Sequence, residues 1–87
     1  MSTFKYTDKG MVELADGGVA WSGSITLGNI LVCNVSNDGQ GGCDDYDIKH
    51  SILFRSFEIT AQNEFPGEFE ATDAYVAQLW EETLVAN

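Results

Sequence analysis

The stretch MVELADGGVAWSGSITLGNILVCNV, residues 11–35, decides the fold. It holds two turn dipeptides, Asp16-Gly17 and Gly28-Asn29, set between runs in which apolar and small polar residues alternate. Asp-Gly favours the type I′ turn of a two-residue hairpin, and Gly in the first position favours type II′. With Asp16-Gly17 as the loop, Leu14 faces Val19 and Val12 faces Trp21; with Gly28-Asn29 as the loop, Leu27 pairs with Ile30 and Ile25 with Val32. Side chains alternate along a strand with period two, so these eight residues share one face, the predicted core face of an antiparallel meander. Leu31, Cys33 and Val35 then point to the opposite face, where the neighbouring strand offers Ser22, Ser24 and Thr26. A strand apolar on both sides has its second side covered by a helix or loop, or offers it to a partner. That second case makes Leu31, Cys33 and Val35 a candidate homodimer surface.

Working outward, Phe4 to Thr7 reads as a short strand ended by Asp8-Lys9-Gly10, which brings the meander to about four strands over residues 4–35. Asn34 to Asp47, with three glycines and four aspartates, reads as a loop leaving the sheet. From there the period lengthens. Ile48, Ile52, Leu53, Phe57, Ala61 and Phe65 recur at three and four, predicting a helix over about 48–62, with a strand over residues 52–60 as the rival. Phe65-Pro66-Gly67 breaks it. Thr72 is a good N-cap and Asp73 suits a first helical turn, so a second helix is expected over about 73–85. Its apolar stripe is Val76, Leu79, Trp80, Thr83 and Leu84, with Tyr75 beside it. Sheet first and helices after predicts an α+β domain, residues 1–87 as a single unit, with both helices packed on one sheet face.

A chain of 87 residues has room for one core. Hydrophobic residues at 44% and aromatics at 11% place it among packed rather than disordered sequences. No run approaches the roughly 18 apolar residues of a membrane span, and Met1 to Lys5 lacks the apolar segment of a secretory signal, so a cytoplasmic location is expected. Cys33 and Cys43 are therefore read as free thiols. With His50 the sole imidazole, a zinc site is set aside.

Charge is the outlier. Fourteen Asp and Glu stand against four Lys and Arg, a formal net charge of −10. Residues 1–30 are nearly balanced, whereas after Arg55 no cation follows and Glu58, Glu64, Glu68, Glu70, Asp73, Glu81 and Glu82 make a field of one sign. Such a field attracts cationic partners and repels nucleic acid and anionic membrane.

Candidate chemistry is sparse. Residues 34–45 place oxygen side chains at the first, third and fifth positions of a twelve-residue calcium loop, with Gly39 sixth and Asp45 twelfth. Asn34 stands where Asp is usual, Asp45 where a longer Glu chelates, and a strand precedes the loop where calcium loops follow a helix. Weak calcium binding through Asp38, Asp44 and Asp45 is the alternative to a solvated loop. The same aspartates oppose a phosphate site. Neither Ser51 nor Ser56 lies in a nucleophile pattern around His50, so no catalytic residue, cofactor or metal ligand is assigned and an enzyme is not expected. The segment Glu64-Phe65-Pro66-Gly67-Glu68-Phe69-Glu70 alternates acids and aromatics on a turn, as a core plug or as a binding loop with aromatic anchors.

DNA carries a charge every ~3.4 Å along each strand, and carboxylates four apart on a helix are ~6 Å apart, so an acidic surface approximates a phosphate array. In size, charge segregation and lack of catalytic chemistry, the whole chain resembles the small acidic inhibitors encoded by bacteriophages, anti-CRISPR proteins and other DNA mimics among them. No motif is shared, so no residue role is carried over. The resemblance implies a phage protein in the host cell cytoplasm that binds and inhibits a basic, nucleic-acid-binding protein or complex, contacting neither nucleic acid nor membrane. The acids expected to meet that partner are Asp44, Asp45, Asp47, Glu64, Glu68, Glu70 and Glu81. Two other classes remain open, an assembly protein that self-associates through its sheet face and a weak calcium-binding module.

Overall fold

The computed structural model describes residues 4–39, 42 and 44–85, with side chains through Thr83. Its elements are β1 (Phe4–Glu13), β2 (Val19–Leu27), β3 (Ile30–Asn37), β4 (Asp45–Ile48), α1 (Ser51–Glu64) and α2 (Ala71–Val85). The strands form one antiparallel sheet in the order β1-β2-β3-β4, followed by the two helices, which is the expected α+β architecture. The division into strands differs. Asp8-Lys9-Gly10 does not end a strand; a bulge between Asp8 and Gly10 lets β1 run on as one ten-residue strand. The fourth strand falls within the segment read as loop, so Ile48 closes β4 instead of opening a helix. Residues 52–60 are helical, and their strand alternative is excluded.

The first hairpin turns over three residues instead of two. Leu14 N–H donates to the Gly18 carbonyl at 2.8 Å and Gly17 N–H to the Leu14 carbonyl at 3.0 Å, with Gly17 at φ 93°. This is the geometry of a turn closed by a left-handed glycine, which an Asp-Gly pair serves as well as it serves type I′. Glu13 therefore pairs with Val19, Val12 with Ala20 and Met11 with Trp21. A slip of one residue moves side chains to the other face. Val12, expected in the core, is carried to the other face and stands 62% exposed; Val19 keeps the face of Trp21 but, at the turn end of the hairpin, is 41% exposed.

The second hairpin closes as expected, with Gly28 at φ 61° and Leu27 opposite Ile30, although Ile30 itself is exposed at this sheet end. Beyond it a bulge intervenes: Thr26 pairs with Leu31 but Ile25 pairs with Cys33, leaving Val32 as the extra residue. From Cys33 onward the alternation of β3 is inverted. Cys33 and Val35 turn into the core at 0% and 1% exposure, as in the reading in which they are covered and unlike the alternative of a homodimer surface, and only Leu31 of the three is exposed. Cys33 is a free thiol, pushed up to about 11 by burial and then by the nearby Asp47 carboxylate. Cys43 lies outside the described residues.

Both helices pack on the sheet face that carries Tyr6, Ile25 and Cys33, α2 over β1 and α1 over β3. His50 caps α1, its Nδ1 accepting the Leu53 N–H at 3.2 Å. The buried face of α1 is Phe54, Phe57 and Ala61, whereas Ile52 is 76% exposed. Phe57 is the hub: its ring meets Phe4 edge-on at 5.2 Å, stacks on Tyr75 at 5.2 Å and tilts against Phe54 at 6.0 Å. Helix α2 starts earlier than its sequence signals suggest. The Glu70 carbonyl accepts the Ala74 N–H at 3.1 Å, so Thr72 sits inside the first turn and is not the cap. Ala71, Tyr75, Val76 and Leu79 are buried, and the Thr83 hydroxyl donates to the Tyr6 carbonyl at 3.1 Å, fastening α2 to β1.

These positions make the register testable. Val12→Thr and Val19→Thr should each change unfolding free energy by less than about 0.5 kcal/mol in urea titrations. Phe57→Ala should cost about 3–5 kcal/mol. A loss of more than about 1 kcal/mol at Val12 would restore the two-residue hairpin and its register.

Candidate functional site

The acids assigned from sequence do not form one patch. Asp45 and Asp47 lie on β4 opposite Ser36 and Asn34, on the polar sheet face away from the helices. Asp47 is bridged to Lys49 at 3.0 Å, a contact that holds its carboxyl below the usual range. Glu64 ends α1, Glu68 lies in the inter-helix turn, and Glu81 is exposed two turns past Asp73 on α2. Asp44 and Glu70 are brought together, and the residue that joins them is Asp73, read from the sequence as a first-turn acid and a member of the C-terminal acidic field but not as a partner-binding residue.

This cluster is built from the β3–β4 loop inward. Asn37, paired with Trp21 across the sheet, accepts the Gly39 N–H through Oδ1 at 2.8 Å. Its Nδ2 donates to the Gly42 carbonyl at 3.1 Å and to Asp44 Oδ1 at 3.0 Å. The loop is thereby folded so that the Asp44 N–H donates to Asp73 Oδ2 at 3.1 Å, while the Tyr46 hydroxyl donates to Asp73 Oδ1 at 2.7 Å. Residues 29 and 27 positions apart are clamped to the first turn of α2, where the helix dipole favours the negative charge of Asp73. Burial, with the bond to Asp73 next, keeps the Tyr46 hydroxyl protonated well beyond the ordinary phenol range.

The remaining acids are less well compensated. Burial, against the partial relief of the Asn37 amide, pushes the Asp44 carboxyl up, and the charges of Asp73 and Asp45 add to it. Glu70 is also raised, first by sharing a hydrogen bond with Asp73, then by partial desolvation and by the charges of Asp73 and Asp44. The ion pairs among the described residues, Lys49 with Asp47 and Arg55 with Glu58, both lie elsewhere. Next to Glu70, Phe69 stands 96% exposed between two glutamates, whereas Phe65 packs on Tyr75. The aromatic pair of this turn thus divides into one plug and one free ring.

Beside the cluster lies a cavity of about 270 Å³ between α2 and the β1–β2 end of the sheet. Its walls include Tyr6, Met11, Trp21 and Trp80, with Asp44 and Asp73 on its lining. The Tyr6 hydroxyl, pushed up to about 12 by burial and by Asp8 and Asp44, donates to the Ser22 carbonyl at 3.3 Å. The sequence places Trp21 on the core face of the hairpin and Trp80 in the apolar stripe of α2, whereas both are half-buried on this wall; the pairing of Met11 with Trp21 that opens it exists only in the shifted register.

No group of three or more His, Cys, Asp or Glu among the described residues is arranged to hold a metal ion. The first and last positions of the calcium-like loop, Asn34 and Asp45, belong to paired strands, and the Asn34 amide oxygen accepts from Ser24 and Lys9. Gln40, Gly41 and Cys43 of that loop lie outside the described residues. No described helix is long and apolar enough to cross a membrane. Compared with protein-family models, curated proteins and solved structures, the chain finds no match.

The raised carboxyls carry a sign. A carboxyl whose folded value exceeds its unfolded value binds its proton more tightly in the native state, so its stabilisation is complete below the ordinary carboxylate value and is lost as pH rises through the raised one. Asp44 and Glu70 therefore favour mild acid, and the net charge of −10 acts in the same direction. Asp47 acts oppositely, in a window below the ordinary value. Melting temperature should rise as pH falls from about 7 to about 5. Asp44→Asn, which keeps an acceptor for Asn37, should raise it by a few degrees near neutrality and flatten this slope; a melting temperature independent of pH would contradict the cluster.

Proposed function

We propose that this protein is a non-enzymatic binding protein whose acidic face docks on, and inhibits, a basic nucleic-acid-binding protein or complex. One observation carries this reading: the Asp44 amide and the Tyr46 hydroxyl clamp Asp73 at the start of α2, which gathers Asp44, Asp73 and Glu70 with no ion pair to any of them among the described residues, next to Phe69 at 96% exposure. Repelling charges raise the free energy of the unbound state, and a cationic partner relieves them; an exposed aromatic ring adjacent to them supplies the apolar contact typical of a binding hot spot. Glu64, Glu68 and Glu81 extend the same sign along the helices, and Arg55, the cation nearest in sequence, is tied to Glu58 at 3.7 Å. Blocking the nucleic-acid groove of such a partner, in the manner of phage-encoded anti-CRISPR proteins and DNA mimics, is the inhibition that this chemistry fits. The sheet face gives less support to self-association, since Cys33 and Val35 are buried.

The test is competition. Purified CRISPR effector complexes and other nucleic-acid-binding proteins are titrated with this protein while release of labelled nucleic acid is followed. Affinity for the cognate partner should fall at least ~10-fold between about 0.1 M and about 1 M salt, over which the Debye length shrinks from ~10 to ~3 Å. Reversing Glu64, Glu68 and Glu70 to Lys should abolish it. Phe69→Ala should weaken binding while changing stability by less than about 0.5 kcal/mol. Binding indifferent to salt and to these reversals would overturn the proposal.

A further inference from the structure

The cavity beside the carboxylate cluster has the dimensions and chemistry of a side-chain socket. At about 270 Å³ it falls just under the ~300–1,000 Å³ of sites that enclose small-molecule ligands and cofactors. On α2 its lining residues are Asp73, Val76, Ala77 and Trp80, spaced by three and four, so they form one stripe about 10 Å long. Acid marks one end of that stripe and an indole the other. Across from it, Tyr6, Met11 and Trp21 rise from β1 and β2, with Trp21 edge-on to Tyr6 at 6.2 Å. Both indoles are half-buried, and Met11 and Ala77 are exposed, so the cavity opens to solvent along an apolar rim.

An apolar channel with carboxylates at one end matches a side chain with a methylene stem and a cationic head. Arginine fits better than lysine. Its planar guanidinium stacks on aromatic faces and forks onto carboxylate oxygens, whereas an ammonium is a compact, strongly hydrated point charge. The acceptors suit a fork. Tyr46 and the Asp44 amide each occupy one Asp73 oxygen and Glu70 shares a further hydrogen bond with this carboxylate, so of its about four acceptor sites at least one is left for a guanidinium N–H, with Asp44 on the same lining for the other.

We infer that the cavity between α2 and the β1–β2 end of the sheet is an arginine socket, in which one arginine of a basic protein partner lies between Trp21 and Trp80 with its guanidinium on Asp73 and Asp44. The inference rests on the basic-partner reading and adds the anchor residue to it. Long-range charge steers a partner without choosing a register; a single buried arginine chooses one.

The probe is Nα-acetyl-arginine amide, titrated into the whole protein while the indole N–H signals of Trp21 and Trp80 are followed by nuclear magnetic resonance. Both should shift and saturate in the millimolar range. Nα-acetyl-citrulline amide, a neutral near-isostere, should leave them in place, and Nα-acetyl-lysine amide should bind several-fold more weakly. Ala77→Phe, which fills the opening without altering charge, should abolish the arginine shifts, and Asp73→Asn should weaken them at least ten-fold. Glu81→Gln, an exposed acid outside the cavity, should not change them. Thermal melts confirm that each variant is folded. Equal response to citrulline or lysine, shifts spread over the acidic surface without saturation, or an unaltered response in Ala77→Phe would overturn the socket. No partner enters this titration, so its failure is separate from that of the salt and charge-reversal test on the partner complex.

Discussion

Everything on the helical side of this molecule depends on the carbonyl of Val32. It accepts two amides, from Lys49 at 2.9 Å and His50 at 3.0 Å, at the point where Val32 and Cys33 together oppose Ile25. The extra residue inverts the alternation of β3, so Cys33 and Val35 join Val32 in the core. The same carbonyl holds the end of β4 at the position where His50 caps α1. Helix α1 is thereby aimed across β3, and Phe57 reaches Phe4 on β1 and Tyr75 on α2. With α1 over β3, α2 is left the ground over β1, and a groove opens where α2 passes the far end of the β1–β2 hairpin.

The legible parts of the fold were those with a single physical solution. Gly28-Asn29 demands a left-handed first residue, and only one pairing of Leu27 with Ile30 follows. Asp16-Gly17 has two solutions, because a left-handed glycine also closes a three-residue loop. The alternation of Val12, Leu14, Val19 and Trp21 favoured the wrong one. The observed one comes with the bulge between Asp8 and Gly10, which leaves Phe4 and Tyr6, at 7% and 4% exposure, under the helices while Met11 instead of Val12 shares the face of Trp21. Helix α1 shows a competition between faces. Its three-and-four spacing was visible, but the face was chosen by Phe54 and Phe57, leaving the β-branched Ile52 and Ile59 outside.

The cluster of acids was half legible. Segregation of charge toward the C-terminal third was plain, as was the suitability of Asp73 for a helix start. That Asp44 would join it was not, since the link is a backbone amide bonded across 29 residues and set by the turn that Asn37 nucleates. Charge density in a sequence therefore located the one-signed region without showing which carboxylates meet. Topology placed Asp45 and Asp47 on the sheet's other face while Asp44, their neighbour, turned toward α2.

The placement of Asp44 has a thermodynamic meaning. Its backbone serves the fold, donating to Asp73 and closing the β3–β4 loop onto α2, and any residue but proline supplies that amide. Its side chain does not serve the fold in the same measure, because a partly desolvated carboxylate facing Asp73 and Asp45 is held in its charged form at a cost. The Asn37 bond offsets part of that cost, and an asparagine at position 44 could accept the same bond without the charge. The stable fold thus requires the position but not the acid. Under the proposed docking, a cationic partner would answer this charge at the mouth of the aromatic cavity. That separates this carboxylate from Asp47, whose charge is already answered by Lys49.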